Sequence, residues 1–97
     1  VVRRWWNCTT GEYAEAETPE QADASFRILA DAVAYARKKG LIVNAGHGLH
    51  YHNTERVAAI QGINELNIGH AIIARAVFTG LKEAVRDMRA ILDSVRR

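Results

Sequence analysis

The sequence predicts an α/β fold in which short parallel strands alternate with helices. Two short segments of strand type, residues 41–45 and 63–68, are rich in apolar residues. Segments with a helical period precede, separate and follow them. Each strand also runs into a turn that carries glycine and histidine. This alternation is typical of βαβ units, which build a parallel sheet.

The first long helix is predicted between Thr18 and Lys39. Thr18 is a good N-cap residue, and Pro19 suits the first helical position because its missing N–H would have no partner there. Apolar residues then recur at the helical period. Gly40 provides a C-terminal stop.

Two strands and one helix are predicted next. Residues 41–45 form a continuous apolar run, which suits a strand covered on both faces. A helix from about Thr54 to Ile60 follows the segment 46–53, which is rich in glycine and histidine. Apolar and polar residues alternate over residues 63–68, and this alternation predicts the second strand.

The chain is predicted to end in a short helix and a long one. After Gly69, residues 70–78 form an apolar helix, and residues 81–95 form an amphipathic helix. Its predicted apolar face comprises Leu81, Ala84, Val85, Met88, Ile91, Leu92 and Val95. A strand followed by a short extra helix and a main helix is a recurring ending of TIM (β/α)8 barrels.

Length limits how much of such a barrel the chain contains. A TIM barrel takes about 200–250 residues, whereas this chain has 97. We therefore expect a single partial domain over residues 1–97, a C-terminal fragment with about three of the eight β/α units. Open sheet edges and uncovered helix faces predict that the isolated fragment aggregates, pairs with copies of itself or stays partly molten.

Composition restricts the functional classes. The chain is 48% hydrophobic and 25% charged with a net charge of +2, as in an ordinary globular domain. Its clustered cations, Arg37-Lys38-Lys39 and Arg96-Arg97, end helices and complement the helix dipole, which argues against nucleic-acid binding. The sequence has neither a membrane-length apolar run nor a secretory signal, and Cys8 has no internal disulfide partner. We expect a cytoplasmic protein.

Two turns carry the candidate chemistry. His47 lies between Gly46 and Gly48 after a strand, where an imidazole can act as general acid or base near neutral pH. The alternative is a turn histidine that packs locally. Gly69-His70 opens a helix, whose N–H groups and dipole favour a bound phosphate. The alternative is a plain strand-to-helix turn.

Other polar residues leave alternatives open. His47, His50 and His52 lie in one short stretch and could form a metal-binding module. Zinc requires converging ligands and usually a fourth group, however, and exposed loop histidines are common. Asn44 and Asn67 lie near strand ends, where they could face a pocket or cap the loops that follow.

Two long motifs resemble a known family. The segment Asn-Ala-Gly-His-Gly-Leu-x-Tyr-His-Asn covers residues 44–53, and Glu-Leu-Asn-Ile-Gly-His-Ala-Ile-Ile-x-Arg-Ala-Val covers residues 65–77. Both resemble the C-terminal part of bacterial pyridoxine 5′-phosphate synthase, and the similarity extends over residues 10–97. The resemblance implies a TIM-barrel transferase of vitamin B6 biosynthesis. It condenses 1-deoxy-D-xylulose 5-phosphate with 3-amino-2-oxopropyl phosphate, releasing phosphate and water.

The same resemblance implies roles for four residues. His47 matches the proton donor, and Gly48, Gly69 and His70 match positions that bind the phosphate of the aminoketone. The family needs no metal or organic cofactor and assembles into homo-oligomers. Its other acid–base groups lie on earlier strands, so we expect the isolated chain to be inactive. The alternative is a non-catalytic remnant with a weak phosphate site.

The N-terminal segment departs from the family pattern. The family carries Glu-Leu-His-Thr-Gly ahead of this region, but Asn7 stands at the place of the glutamate when counted back from Gly11. Codons for Trp5-Trp6-Asn7-Cys8-Thr9, read from the third base of the first codon, encode Val-Glu-Leu followed by His or Tyr. We therefore expect residues 1–9 to be a frame-shifted translation of an ordinary apolar strand.

Overall fold

Strands and helices alternate along the chain as predicted. The computed structural model describes residues 4–95. Residues 1–3, which belong to the segment expected to be frame-shifted, and the Arg96-Arg97 pair lie outside the described residues. The elements are β1 (Trp5–Thr9), α1 (Gly11–Ala14), α2 (Pro19–Lys38), β2 (Ile42–Gly46), α3 (Thr54–Ala58), β3 (Ile63–Asn67), α4 (His70–Thr79) and α5 (Leu81–Val95).

The three strands form one parallel sheet in the order β1-β2-β3. This confirms the parallel α/β prediction. Thr9, Gly46 and Asn67 stand in one register row at the carboxyl edge of the sheet. The register between β2 and β3 shifts by one residue at a β-bulge between Val43 and Asn44, which lies before the carboxyl edge. The turns after β2 and β3 therefore emerge side by side.

The core lies between the sheet and the helix α2. Leu29, Val33 and Ala36 of α2 pack with buried residues of the strands, Val43 and Ala45 among them. Side chains of β1 alternate between the two faces of the sheet. Cys8 is buried in this core, and Asn7 is exposed on the other face. The cluster comprises Cys8, Leu29, Val33, Ala36, Val43, Ala45, Leu49, Val57 and Ile63. One face of the sheet is thus covered, whereas the other keeps exposed side chains.

The ends of α2 agree with the sequence prediction. The Thr18 side chain accepts a hydrogen bond from the Gln21 backbone N–H at 3.1 Å, and Pro19 occupies the first turn. Gly40 has a φ of +83°, a conformation that glycine adopts without a steric penalty. The N-cap and the glycine stop are confirmed.

The predicted apolar face of α5 is only partly buried. Ala84 and Met88 are buried, but Leu81 is 57% exposed and Val85 is 47% exposed. The face is wider than the surface that α3 and α4 cover. The predicted helix is confirmed, and the exposed part of its apolar face agrees with the uncovered helix faces expected of a barrel fragment.

The two tryptophans of β1 differ in exposure. Trp6 packs against the core, whereas Trp5 is 59% exposed.

The short helix α1 was not predicted from the sequence. Its four residues, beginning with Gly11, are too few to show a helical period of apolar residues. Among residues 4–95, no helix is long and apolar enough to cross a membrane.

Candidate active site

The two histidine-bearing turns line one cleft at the carboxyl edge of the sheet. Its volume is about 480 Å³. The cleft brings together His47, Gly48, Gly69 and His70, the four residues singled out from the sequence. The other residues that line it are Leu49, His50, Asn67, Ile68 and Ala71. None of these lining residues is a carboxylate, so the cleft suits an anionic ligand.

The backbone of His47 is strained. Its φ is +100°, and among residues 4–95 it is the one non-glycine residue with a positive φ. Such a conformation costs about 1–3 kcal/mol and persists only where neighbouring contacts enforce it. From the sequence, a positive φ was expected at the flanking glycines, Gly46 and Gly48. Gly48 does have a φ of +76°, but the histidine itself takes the more demanding conformation.

Thr10, at the end of β1, supplies the nearest of these contacts. Its hydroxyl donates to the carbonyl oxygen of His47 at 2.6 Å, and its backbone N–H donates to the Gly46 carbonyl at 2.9 Å. Thr10 is 1% exposed. The turn after β1 therefore fixes two consecutive carbonyl groups of the turn after β2.

The rest of the His47 loop is held by the side chain of Asn53 and by Tyr13 of α1. Asn53 accepts a hydrogen bond from the His50 N–H at 2.6 Å and donates to the Gly48 carbonyl at 3.3 Å. The Tyr13 hydroxyl donates to the Asn53 carbonyl at 3.0 Å. Burial raises the pKa of Tyr13, and the nearby guanidinium of Arg56 partly offsets that rise. This loop is thus rigidly held on two sides.

Tyr51 connects the same loop to the C-terminal helices. Its hydroxyl donates to the Ala84 carbonyl at 2.7 Å, and the Arg75 guanidinium lies 4.0 Å from the centroid of its ring. Arg75 also pairs with Asp87 at 3.7 Å. Sequence reasoning missed these contacts, because they join distant segments and no local pattern signals them.

The His70 turn has a different construction. Gly69 is the N-cap of α4 with a φ of −133°, and no side chain caps the helix. An added Cβ at Gly69 would meet no atom within 4 Å. The first N–H groups of a helix have no intrahelical acceptor, and here they open beside the cleft. His70 itself is exposed. The backbone N–H groups of this turn therefore remain available to a ligand.

The histidine cluster does not form a metal site in the described part of the chain. No group of three or more His, Cys, Asp or Glu side chains between residues 4 and 95 converges on a point where an ion could bind. His50 Nδ1 instead accepts a hydrogen bond from the His52 backbone N–H at 3.1 Å. The metal-binding alternative therefore lacks a ligand set.

The two strand-end asparagines separate into different roles. Asn44 is buried and its Oδ1 accepts a hydrogen bond from Asn64 at 3.2 Å, next to the β-bulge. Asn67 is exposed and lines the cleft. The sequence left open whether these asparagines face a pocket or cap the loops that follow. Asn67 faces the cleft, whereas Asn44 forms its hydrogen bond within the sheet.

Comparison with known proteins identifies close relatives. The model of the family described as "Pyridoxal phosphate biosynthesis protein PdxJ" matches residues 4–94. The pyridoxine 5′-phosphate synthase of Alcanivorax borkumensis is 63% identical over 86 residues. That similarity covers 89% of this chain but 35% of the relative. The chain thus spans about a third of the length of the curated relative that it matches.

Proposed function

Because the chain belongs to the PdxJ family of pyridoxal phosphate biosynthesis proteins, we propose that it forms the C-terminal part of a pyridoxine 5′-phosphate synthase. In the complete enzyme it supplies about three of the eight units of a TIM barrel, and the parallel three-stranded sheet supports this proposal. The reaction condenses 1-deoxy-D-xylulose 5-phosphate with 3-amino-2-oxopropyl phosphate to give pyridoxine 5′-phosphate, phosphate and water. We place the enzyme in the cytoplasm and expect it to form homo-oligomers.

The observation that carries the proposal is the cleft shared by the two turns. It places a candidate proton donor, His47, beside the N-terminus of α4 and has no carboxylate among its lining residues. Backbone N–H groups at a helix N-terminus bind phosphate through direct hydrogen bonds and the helix dipole. We assign the phosphate of the aminoketone to Gly48, Gly69 and His70.

His47 acts as the general acid in this proposal. During dehydration and ring closure, an imidazolium N–H donates its proton to the departing oxygen, so that the C–O bond breaks with water as the leaving group. The hydrogen-bonded backbone of the His47 turn fixes the position of the His47 backbone relative to α4. Positioning of this kind contributes to catalysis because a misplacement of about 1 Å can cost about 100-fold in rate.

The 97-residue chain alone is expected to bind phosphate without completing the condensation. The resemblance implies that the remaining acid–base groups lie on earlier strands, and this chain covers only 35% of the relative's length. Catalytic groups must be held within about 0.5 Å of their productive geometry by a complete scaffold. Turnover of both substrates by the purified chain would contradict this expectation.

A second candidate function is a non-catalytic remnant that binds phosphate weakly. It is favoured by Asn7, which lies on the exposed face of β1 in one register row with Asn44 and Glu65. A neutral amide there cannot replace the carboxylate that the resemblance implies. We retain the proposal that residues 1–9 are a frame-shifted strand. Genomic sequencing across these codons, together with the upstream bases, separates a shifted reading frame from a genuine Asn7.

Phosphate titration of the full 97-residue chain tests the proposed site. Inorganic phosphate should shift the backbone amide resonances of the first turn of α4. His70→Ala should weaken the affinity about tenfold, because hydrogen bonds to a charged group contribute about 1.5–3 kcal/mol. His52→Ala is the matched control, since His52 is exposed and lies outside the cleft. Equal affinities of the chain and its His70→Ala variant would refute the assignment.

A further inference from the structure

We propose that Thr10 and Gly11 are positioning residues for His47 and together form a seat for its backbone and its imidazole. The inference rests on the proposed role of His47 as proton donor. Neither residue lines the cleft.

Thr10 restrains the strained backbone. Its hydroxyl bond to the His47 carbonyl adjoins the residue whose φ is +100°. Its N–H holds the preceding carbonyl, that of Gly46, and its own carbonyl accepts the N–H of Ala14 at 2.9 Å. Thr10 is therefore fixed to both β2 and α1. Removal of this buried hydroxyl takes the hydrogen-bond donor away from the His47 carbonyl.

Gly11 makes room for the imidazole. An added Cβ at Gly11 would lie 2.9 Å from Cδ2 of His47 and 3.7 Å from its Nε2. The φ of Gly11 is not among the positive values of the described residues. Backbone freedom therefore does not explain a glycine at this buried first position of α1. The contact indicates instead that the ring rests directly against the Cα of Gly11.

The two contacts act on different parts of one residue. Thr10 limits the rotation of the His47 peptide plane, and Gly11 defines where the side chain lies. Since both belong to the turn after β1, this turn positions the proton donor without touching the ligand. Thr10 and Gly11 follow directly after the segment expected to be frame-shifted, and the pairing of β1 with β2 brings them to His47.

Nuclear magnetic resonance of the full 97-residue chain tests the seat. In the unmodified chain, a nuclear Overhauser cross-peak should join the Gly11 Hα protons and the Hδ2 proton of His47. Gly11→Ala should displace the ring, shift the His47 ring signals and leave those of His70 in place. Thr10→Val should abolish the cross-peak, whereas Thr10→Ser, which keeps the hydroxyl, should preserve it. Assignment of the ring signals uses their loss in His47→Gln.

The outcomes separate this proposal from the proposed function. Unchanged His47 ring signals in Gly11→Ala, or a cross-peak that persists in Thr10→Val, would overturn the seat. If Thr10→Val fails to fold, Gly11→Ala decides alone, because its added methyl group meets mainly the movable end of a side chain. Failure of the unmodified chain to bind phosphate would refute the site at α4 but leave the cross-peak intact.

Discussion

The His47 and His70 turns carry the same residue types after neighbouring strands but differ in construction. The His47 turn has a strained backbone whose carbonyl accepts a hydrogen bond from Thr10. The Tyr51 hydroxyl links the same loop to α5 by a second hydrogen bond. The His70 turn begins a helix without a side-chain cap, and its Gly69 faces open space. The backbone of the first turn is therefore fixed by contacts with other segments. The second leaves backbone donors available to a ligand.

In the proposed function, one sheet edge serves two chemical purposes. Proton transfer depends on the position of an imidazole, so the turn that carries it benefits from rigid support. Anion binding depends on unsatisfied N–H groups, so the turn that provides them must remain uncapped. Substitutions in the two turns should consequently have unequal effects.

The largest effect is expected from a methyl group at the strand end before His47. In Gly46→Ala the new Cβ would lie 2.5 Å from the Asn67 carbonyl oxygen, and backbone atoms of β3 cannot move aside easily. We expect a loss of about 2–3 kcal/mol in the free energy of unfolding, as for overpacked sites. Gly69→Ala, the matched change in the other turn, should cost at most about 1 kcal/mol through the altered N-cap. Urea unfolding measures both. Equal costs would show that the two turns are equally tolerant.

A smaller effect is expected from the link between the His47 loop and α5. Tyr51→Phe removes the hydrogen bond to the Ala84 carbonyl and should lower the free energy of unfolding by about 1 kcal/mol. Tyr35→Phe on α2 is the control, because Tyr35 is largely exposed. Hydrogen exchange should become faster in residues 48–53 and stay unchanged at His70. Faster exchange in both turns would mean that Tyr51 supports the whole edge.

The smallest effect is expected at alkaline pH. Burial raises the pKa of Tyr13 above its usual 10.0, with the Arg56 charge partly opposing the rise. The folded state thus holds this proton more tightly than the unfolded state. The corresponding stability is fully present below about pH 10 and is lost as the pH rises through the folded-state pKa.

Unfolding of the chain and of Tyr13→Phe over about pH 9–11 isolates this contribution. The pKa of the Cys8 thiol is also raised by burial, but Cys8 is present in both proteins. The variant should therefore lose less stability with rising pH than the unmodified chain. Parallel curves would indicate that Tyr13 does not titrate differently in the folded state.

Local patterns predicted most of the fold. The N-cap at Thr18, the stop at Gly40 and the two strand segments depend on chemistry within a few residues of each position, so they could be identified directly. The burial of the apolar face of α5 could not be predicted in this way. Its period indicates which side is apolar but not how much neighbouring surface covers it, and Leu81 remains exposed.

The candidate site was predicted in part. Glycine and histidine at strand ends indicated His47 and His70, because the carboxyl ends of parallel strands meet at one edge. The support from Thr10 could not be found in this way. It lies 37 residues from His47, and its hydroxyl bond exists only after β1 and β2 pair.

By itself, the sequence determined the helices α2 to α5, the strands β2 and β3, the two candidate turns and the family. These follow from residue types at fixed spacings, which physical chemistry translates into local structure. Tertiary structure alone decided which turn is strained and which is open. Strain at His47 requires contacts from a separate strand to enforce it, and an open N-terminus at α4 requires that no neighbouring side chain reach it. Both conditions depend on distances between segments that a linear pattern does not contain.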